Sequence, residues 1–207
     1  MKEIKNDVVM VLLLIGGISI IYFFPGKDSR TIHPMTNELA VQPDHMLTRA
    51  MQHIAEDDKK VSIEYMEKAI ESMRLLESDA GKESEQVIEA AIRDIVLLEE
   101  ELAAKHSNEG RVKQAFLNAL NSLALAQLKE SEIYIRQHNY AASKIAMKYA
   151  TEHLRCAELF SNQDELVKEN SFKNSVSMIA MDESSSDEKL IARLDKLITE
   201  MDAVVLH

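Results

Sequence analysis

The chain has 207 residues, 46% hydrophobic and 29% charged, with 24 basic against 35 acidic side chains and a net charge of −11. That charge repels phosphate, and no basic stripe with interleaved aromatics offsets it, which argues against nucleic acid as a partner. All three prolines (Pro25, Pro34, Pro43) and three of the five glycines (Gly16, Gly17, Gly26) precede residue 44, leaving too little turn chemistry beyond it for a sandwich, a barrel or a glycine-looped parallel sheet.

Residues 1–7 form a short, charge-balanced tail. Residues 8–24, Val8 to Phe24, then run without a charge. As a helix this run spans about 25 Å, close to the lower limit for a hydrocarbon core. Pro25 and Gly26 stop it, and Tyr22, Phe23 and Phe24 supply an aromatic belt. A cleaved signal has an apolar core of ~7–15 residues ending in a small-x-small site. Here the core runs straight into Tyr-Phe-Phe-Pro, so an uncleaved single-pass anchor through the lipid bilayer is the better reading, with a cleaved-signal periplasmic protein as the alternative. Gly16, Gly17 and Ser19 give the anchor a small-residue surface for close packing on another membrane helix. Lys2 and Lys5 on one side balance Lys27 and Arg30 on the other. The amino terminus tips the balance toward a cytoplasmic tail and an extracytoplasmic, periplasmic body, while a cytoplasmic body stays open. Residues 25–43, which hold every proline, read as an extended tether.

From residue 44 to 207 the apolar residues recur at three and four, the mark of helices burying one stripe. The runs are Ile63, Met66, Ala69, Ile70, Met73, Leu76; then Ile88, Ala91, Ile95, Leu98, Leu102; then Val112, Phe116, Ala119, Leu123, Ala126, Ile133; then Tyr140, Ser143, Met147, Ala150, Leu154, Ala157. Residues 163–181 show a weaker stripe of Leu166, Phe172, Val176 and Ile179, and a closing helix over 187–206 carries Leu190, Leu194, Leu197, Met201 and Val204. Gly81 and Gly110 mark helix boundaries, and Ser184 to Glu188 offers serines and Asp187 as caps for the last helix. Asp57-Asp58 and His138-Asn139 read as tight turns between antiparallel helices. The expected fold is all-α: an N-terminal transmembrane helix, then a roughly six-helix antiparallel bundle or short helical-repeat array.

A shift of 81 residues superposes the two tight turns and aligns Ile54 with Ile135, Ser62 with Ser143, Met66 with Met147 and Ala69 with Ala150. This implies a duplication, with halves 44–105 and 111–181. Glu71 and Arg74 fall on Glu152 and Arg155, a repeated surface pair spaced to meet on one helix face. Its structural meaning is a solvated ion pair; its functional meaning is a pair repeated along a groove.

Chemistry is sparse. The histidines lack the spacing of a zinc-protease helix or a di-iron bundle, and no phosphate loop, haem motif or nucleophile elbow occurs. No catalytic, metal or cofactor set is expected. Cys156, the single cysteine, falls on the repeat position of Leu75 and reads as a small buried hydrophobe. His53 and His138, each beside a turn, are the one candidate pair for titration near neutral pH.

The hairpins Arg49–Glu77 and Glu130–Phe160, with Ala-rich stripes and a polar turn, resemble those of tetratricopeptide-type and other α-helical repeat proteins. They also resemble the YfdX family of bacterial stress-associated proteins, built from comparable duplicated hairpins. The resemblance implies a helical array. The tetratricopeptide Trp and Gly-Tyr landmarks are missing and the offset is not their ~34, so no functional residue is carried over. The functional expectation is a membrane-anchored, non-enzymatic scaffold or accessory subunit mediating protein–protein interaction at the envelope, with a protein partner that is itself membrane-bound in one version. The alternative is an envelope sensor or stress-associated ligand-binding bundle.

Overall fold

The computed structural model describes residues 34–104 and 106–205. Among them are seven α-helices and no strand: α1 (Gln42–Ala55), α2 (Lys59–Glu77), α3 (Lys82–Ala103), α4 (Glu109–Arg136), α5 (Tyr140–Ala157), α6 (Gln163–Ala180) and α7 (Asp187–Val205). Each half therefore splits into three rods before the closing one, giving seven where about six were expected. The tail 1–7, the anchor 8–24 and its Gly16, Gly17 and Ser19 lie outside the described residues. Among the described residues no helix is long and apolar enough to cross a membrane.

The extended tether expected over 25–43 is corrected from residue 34 onward. Two 3-10 turns, Pro34–Thr36 and Glu38–Val41, lead directly into α1. Met35 is 1% exposed and Ala40 is wholly enclosed, so this stretch is part of the core. Asn37 caps the second turn by accepting the Leu39 N–H at 2.6 Å. Pro43 falls in the first turn of α1, where a missing N–H costs nothing.

Short polar side chains start four of the helices. Asp58, Asn108 and Asn139 accept the N–H three residues on, and Asn162 forms a capping box with Glu165. The serines before α7 behave otherwise. Ser184 and Ser185 donate, from backbone and hydroxyl alike, to Asp182, which also pairs with Arg193. These bonds hold the Asp182 carboxyl far below the usual range, and it is Ser186 that accepts the first helical bonds.

The two hairpin turns match bond for bond at the 81-residue offset. Asp57 N–H reaches Ile54 O at 3.0 Å and Asp58 N–H reaches His53 O at 2.8 Å; His138 N–H reaches Ile135 O at 2.8 Å and Asn139 N–H reaches Tyr134 O at 2.8 Å. Asp57 (φ 59°) and His138 (φ 56°) sit in the left-handed region, the only non-glycine residues described that do. The buried stripe superposes too: Leu47 on Leu128, Ser62 on Ser143, Met66 on Met147, Ala69 on Ala150 and Met73 on Leu154. A left-handed backbone costs a residue with a Cβ roughly 1–2 kcal/mol; glycine relieves that cost, but the flexibility it adds to the unfolded chain offsets part of the gain. Asp57→Gly is therefore expected to stabilise the chain by about 0.5 kcal/mol in urea unfolding. His138→Gly gains less, because it loses the contact of His138 Nδ1 with Asp187 at 3.1 Å.

α4 is the axis. It packs against α1, α3, α5 and α7. Of its 28 residues 18 are buried, and 119–128 are buried without a break. A helix enclosed on several sides buries more than one stripe, polar side chains such as Asn121 and Gln127 included, which is why its one-stripe reading is too narrow. Two positions differ from the expected stripes for a local reason. Ile133 is 36% exposed, while Glu130 is buried and accepts the Gly81 N–H at 2.7 Å, placing a carboxylate at the start of α3. A Cβ on Gly81 would lie 3.1 Å from Glu130 Oε1 and 3.2 Å from the Ile133 side chain. Close approach, not an unusual φ, is what favours glycine here.

Candidate functional site

α5 carries two buried stripes. One is the repeat stripe from Ser143 to Ala157. The other is Tyr149, His153, Cys156 and Phe160, spaced at four, three and four. In the first half the same positions are Lys68, Ser72, Leu75 and Asp79, and Leu75 is half exposed. The second stripe exists because α1 and the 34–41 turns cover that side of α5. Cys156 is buried as expected, but the repeat position of Leu75 was the wrong ground for expecting it.

A buried pair joins the two helices. His153 Nδ1 lies 2.7 Å from Asp44 Oδ1, with the histidine side chain wholly enclosed. His153 Nε2 is buried without a hydrogen-bond partner. Cys156, one turn along, has its Sγ 3.4 Å from Thr48 Oγ1 and 3.8 Å from the Asp44 carbonyl. Burial, aided by the Asp44 charge, pushes the thiol up to about 11, so at neutral pH it is protonated and a poor nucleophile. Sequence reasoning missed the Asp44–His153 pair because it searched for histidine against histidine. The signal was available in the Tyr149-His153-Cys156-Phe160 spacing.

Above this pair lies a cleft of about 700 Å³. Val41, Tyr149, Cys156 and Leu159 give it apolar surface, and Glu38, Lys148, Glu152 and Arg155 give it charge. Arg155 and Glu152 form the expected i, i+3 pair at 2.8 Å. Their repeat counterparts Glu71 and Arg74 are exposed on α2 and do not form that pair among the described residues. The repeated pair is thus one pair, at the cleft of the second half only. Exposed as it is, it contributes a few tenths of a kcal/mol to stability.

The turn histidines are not brought together. His53 stacks on Tyr65 at 5.4 Å, whereas His138 and Tyr140 both reach Asp187. Elsewhere, Asn121 on α4 donates to Glu169 on α6 at 2.8 Å, deep in the interior. Leu166, assigned to the α6 stripe from sequence, is exposed, and Glu169 occupies the buried position instead. A second cleft of about 680 Å³ between α4 and α7 is lined by Lys129, Glu132, Arg136, Asp195 and Asp202. Among the described residues no group of three or more His, Cys, Asp or Glu side chains is arranged to hold a metal.

No protein-family model matches the chain, and neither a curated protein nor a solved structure does.

Proposed function

We propose that the chain is a membrane-tethered, non-enzymatic helical scaffold whose Asp44–Arg155 cleft receives a segment of a protein partner at the cell envelope. The observation that carries this reading is the position of the cleft. One wall is residues 38–48, which follow closely on the apolar run 8–24. Nine residues, 25–33, separate Phe24 from Pro34, a reach of at most about 30 Å when fully extended. A partner held in the cleft would stay close to the bilayer. Apolar surface from Val41, Tyr149 and Leu159, bordered by charges of both signs, suits a peptide with an apolar anchor and polar flanks. The protonated, enclosed thiol and the buried imidazole support a binding surface over a nucleophilic centre.

A photo-crosslinking amino acid at Arg155, in the full chain in native membranes, tests the reading. One partner of defined mass is expected to crosslink from Arg155 and not from Glu89 on α3. Leu159→Asp should abolish that product while leaving helicity unchanged. Recovery of the chain in the soluble fraction, or equal crosslinking from both positions, overturns the proposal. Leucine at Gly16, Gly17 and Ser19 should weaken co-purification of a membrane-bound partner; unchanged recovery removes the anchor from the interface.

A further inference from the structure

Glu169 is 1% exposed, the most deeply buried carboxyl group among the described residues. Its Oε1 accepts the bond from Asn121 Nδ2 at 2.8 Å. Two atoms of this pair are left over: Glu169 Oε2 and Asn121 Oδ1 are both buried without a hydrogen-bond partner. Both are acceptors while Glu169 is ionised, so neither can satisfy the other. A carboxylic acid gains one O–H donor, and an acid and a primary amide are complementary, each donating once and accepting once. A single proton on Glu169 therefore resolves both orphaned oxygens. A buried unmet acceptor is costly, which gives the fold a reason to hold that proton.

The charges around the pair favour the same state. α4 has no charged residue between Lys113 and Lys129. Glu158, after α5, faces the site but is paired with Lys173 of α6. α6 adds Glu165 and Lys168. α7 meets α6 near Ile179, where Arg193, Lys196 and Glu200 lie at the far end from Glu169. Burial first, with Glu165 and Glu158, raises the carboxyl from 4.5 to about 7, against the Asn121 hydrogen bond and Lys168, which lower it.

α6 packs on α5 and α7 through a narrow apolar stripe. Phe172, Val176 and Ile179 are its only buried hydrophobic residues, and its outer side shows Val167 at 71% and Met178 at 60% exposure. With only three buried hydrophobic residues on the helix, the state of one buried polar pair bears on its docking.

We propose that the Asn121–Glu169 pair is a proton-operated latch, which ties α6, packed on α5 and α7, to α4 when Glu169 is a neutral acid and loosens the helix when Glu169 is a carboxylate. The inference is independent of what occupies the cleft on α5.

The direction follows from linkage. An undocked α6 ionises Glu169 near 4.5, while the docked helix keeps its proton up to about 7. Docking is strongest below 4.5, weakens as pH rises through this interval, and weakens no further above it. Between pH 5 and 7 the opening equilibrium of α6 should grow on the order of 30-fold. Hydrogen–deuterium exchange of the full chain in mild detergent, corrected for intrinsic exchange, reads this helix by helix. The expected result is a rise in opening confined to α6. Glu169→Gln, whose amide supplies the missing donor permanently, should hold α6 at its low-pH protection throughout. Glu99 on α3, raised by burial to about 7, and Glu132 on α4, also raised by burial, are competing sources of pH dependence, and Glu99→Gln and Glu132→Gln should each leave the α6 profile as in the wild type. The latch is overturned if α6 opening in the wild type does not grow between pH 5 and 7, if every helix loosens together, or if Glu169→Gln keeps the wild-type slope. Should that variant fail to fold, the wild-type profile against Glu99→Gln and Glu132→Gln decides alone.

Discussion

Replacing Asp44 with alanine is expected to lower folding stability by about 2–4 kcal/mol, one of the largest losses from any polar substitution in this chain. The carboxyl is 5% exposed and meets His153 Nδ1 at 2.7 Å. His153 is itself fully enclosed, and its Nε2 already lacks a partner. Removing Asp44 would leave the imidazole with two buried nitrogens and nothing to bond them. The loss also unpins the start of α1, where Asp44 stands in the first turn and complements the positive end of the helix. Asp44→Asn keeps an acceptor near Nδ1 and should cost less than half as much. The double variant Asp44→Ala/His153→Leu should regain most of the loss, since replacing both partners by apolar groups is close to neutral. Urea denaturation of the full chain in mild detergent measures all three. A loss below about 1 kcal/mol for Asp44→Ala would mean that the pair does not bear on folding.

The same pair shows where sequence reasoning stops. The hairpins were legible because their turns combine a polar dipeptide with uninterrupted stripes. A duplicated turn reproduces the same backbone, down to the left-handed residue at Asp57 and His138. Helix caps were less legible: Asn108 and Asn162 drew no notice as caps, and Ser184 and Ser185 bond Asp182 instead of the helix start. What could not be read was the company each helix keeps. The repeat makes α2 and α5 look alike, yet α5 is covered on two sides and α2 is not, so Cys156 is buried where Leu75 is exposed. Charged residues escape a search for apolar stripes, which hid Glu130 at the start of α3 and Glu169 under α6. The prolines of residues 25–43 pointed to an extended chain, but Met35 and Ala40 contribute enough apolar contact to fold residues 34–41 onto the body. Of the candidate site, one wall was visible, as Glu152 and Arg155; the other wall comes from a segment read as a linker.

Phe116→Ala should cost about 3–5 kcal/mol and should do so in a single cooperative transition. Phe116 is fully buried on α4 and meets Phe160 edge to face, with ring centroids 5.5 Å apart and planes at 85°. Such aromatic pairs add roughly 0.5–1.5 kcal/mol beyond the area they bury. The position tests whether duplication in sequence means independence in folding. One apolar cluster joins α1, α2 and α3 of the first half to α4, Tyr149, Cys156, Ala157 and Phe160 of the second. A second cluster joins α5, α6 and α7 to Leu125, Leu128 and Ile135 of the same α4. Both clusters thus share one continuous helix, and a void at Phe116 weakens the rod on which the other is built. The urea midpoint is expected to fall with the slope of the transition unchanged, since the same surface is exposed on unfolding. Separate transitions, with the α5–α7 portion unaffected, would show instead that each half closes its own core and that α4 merely connects them.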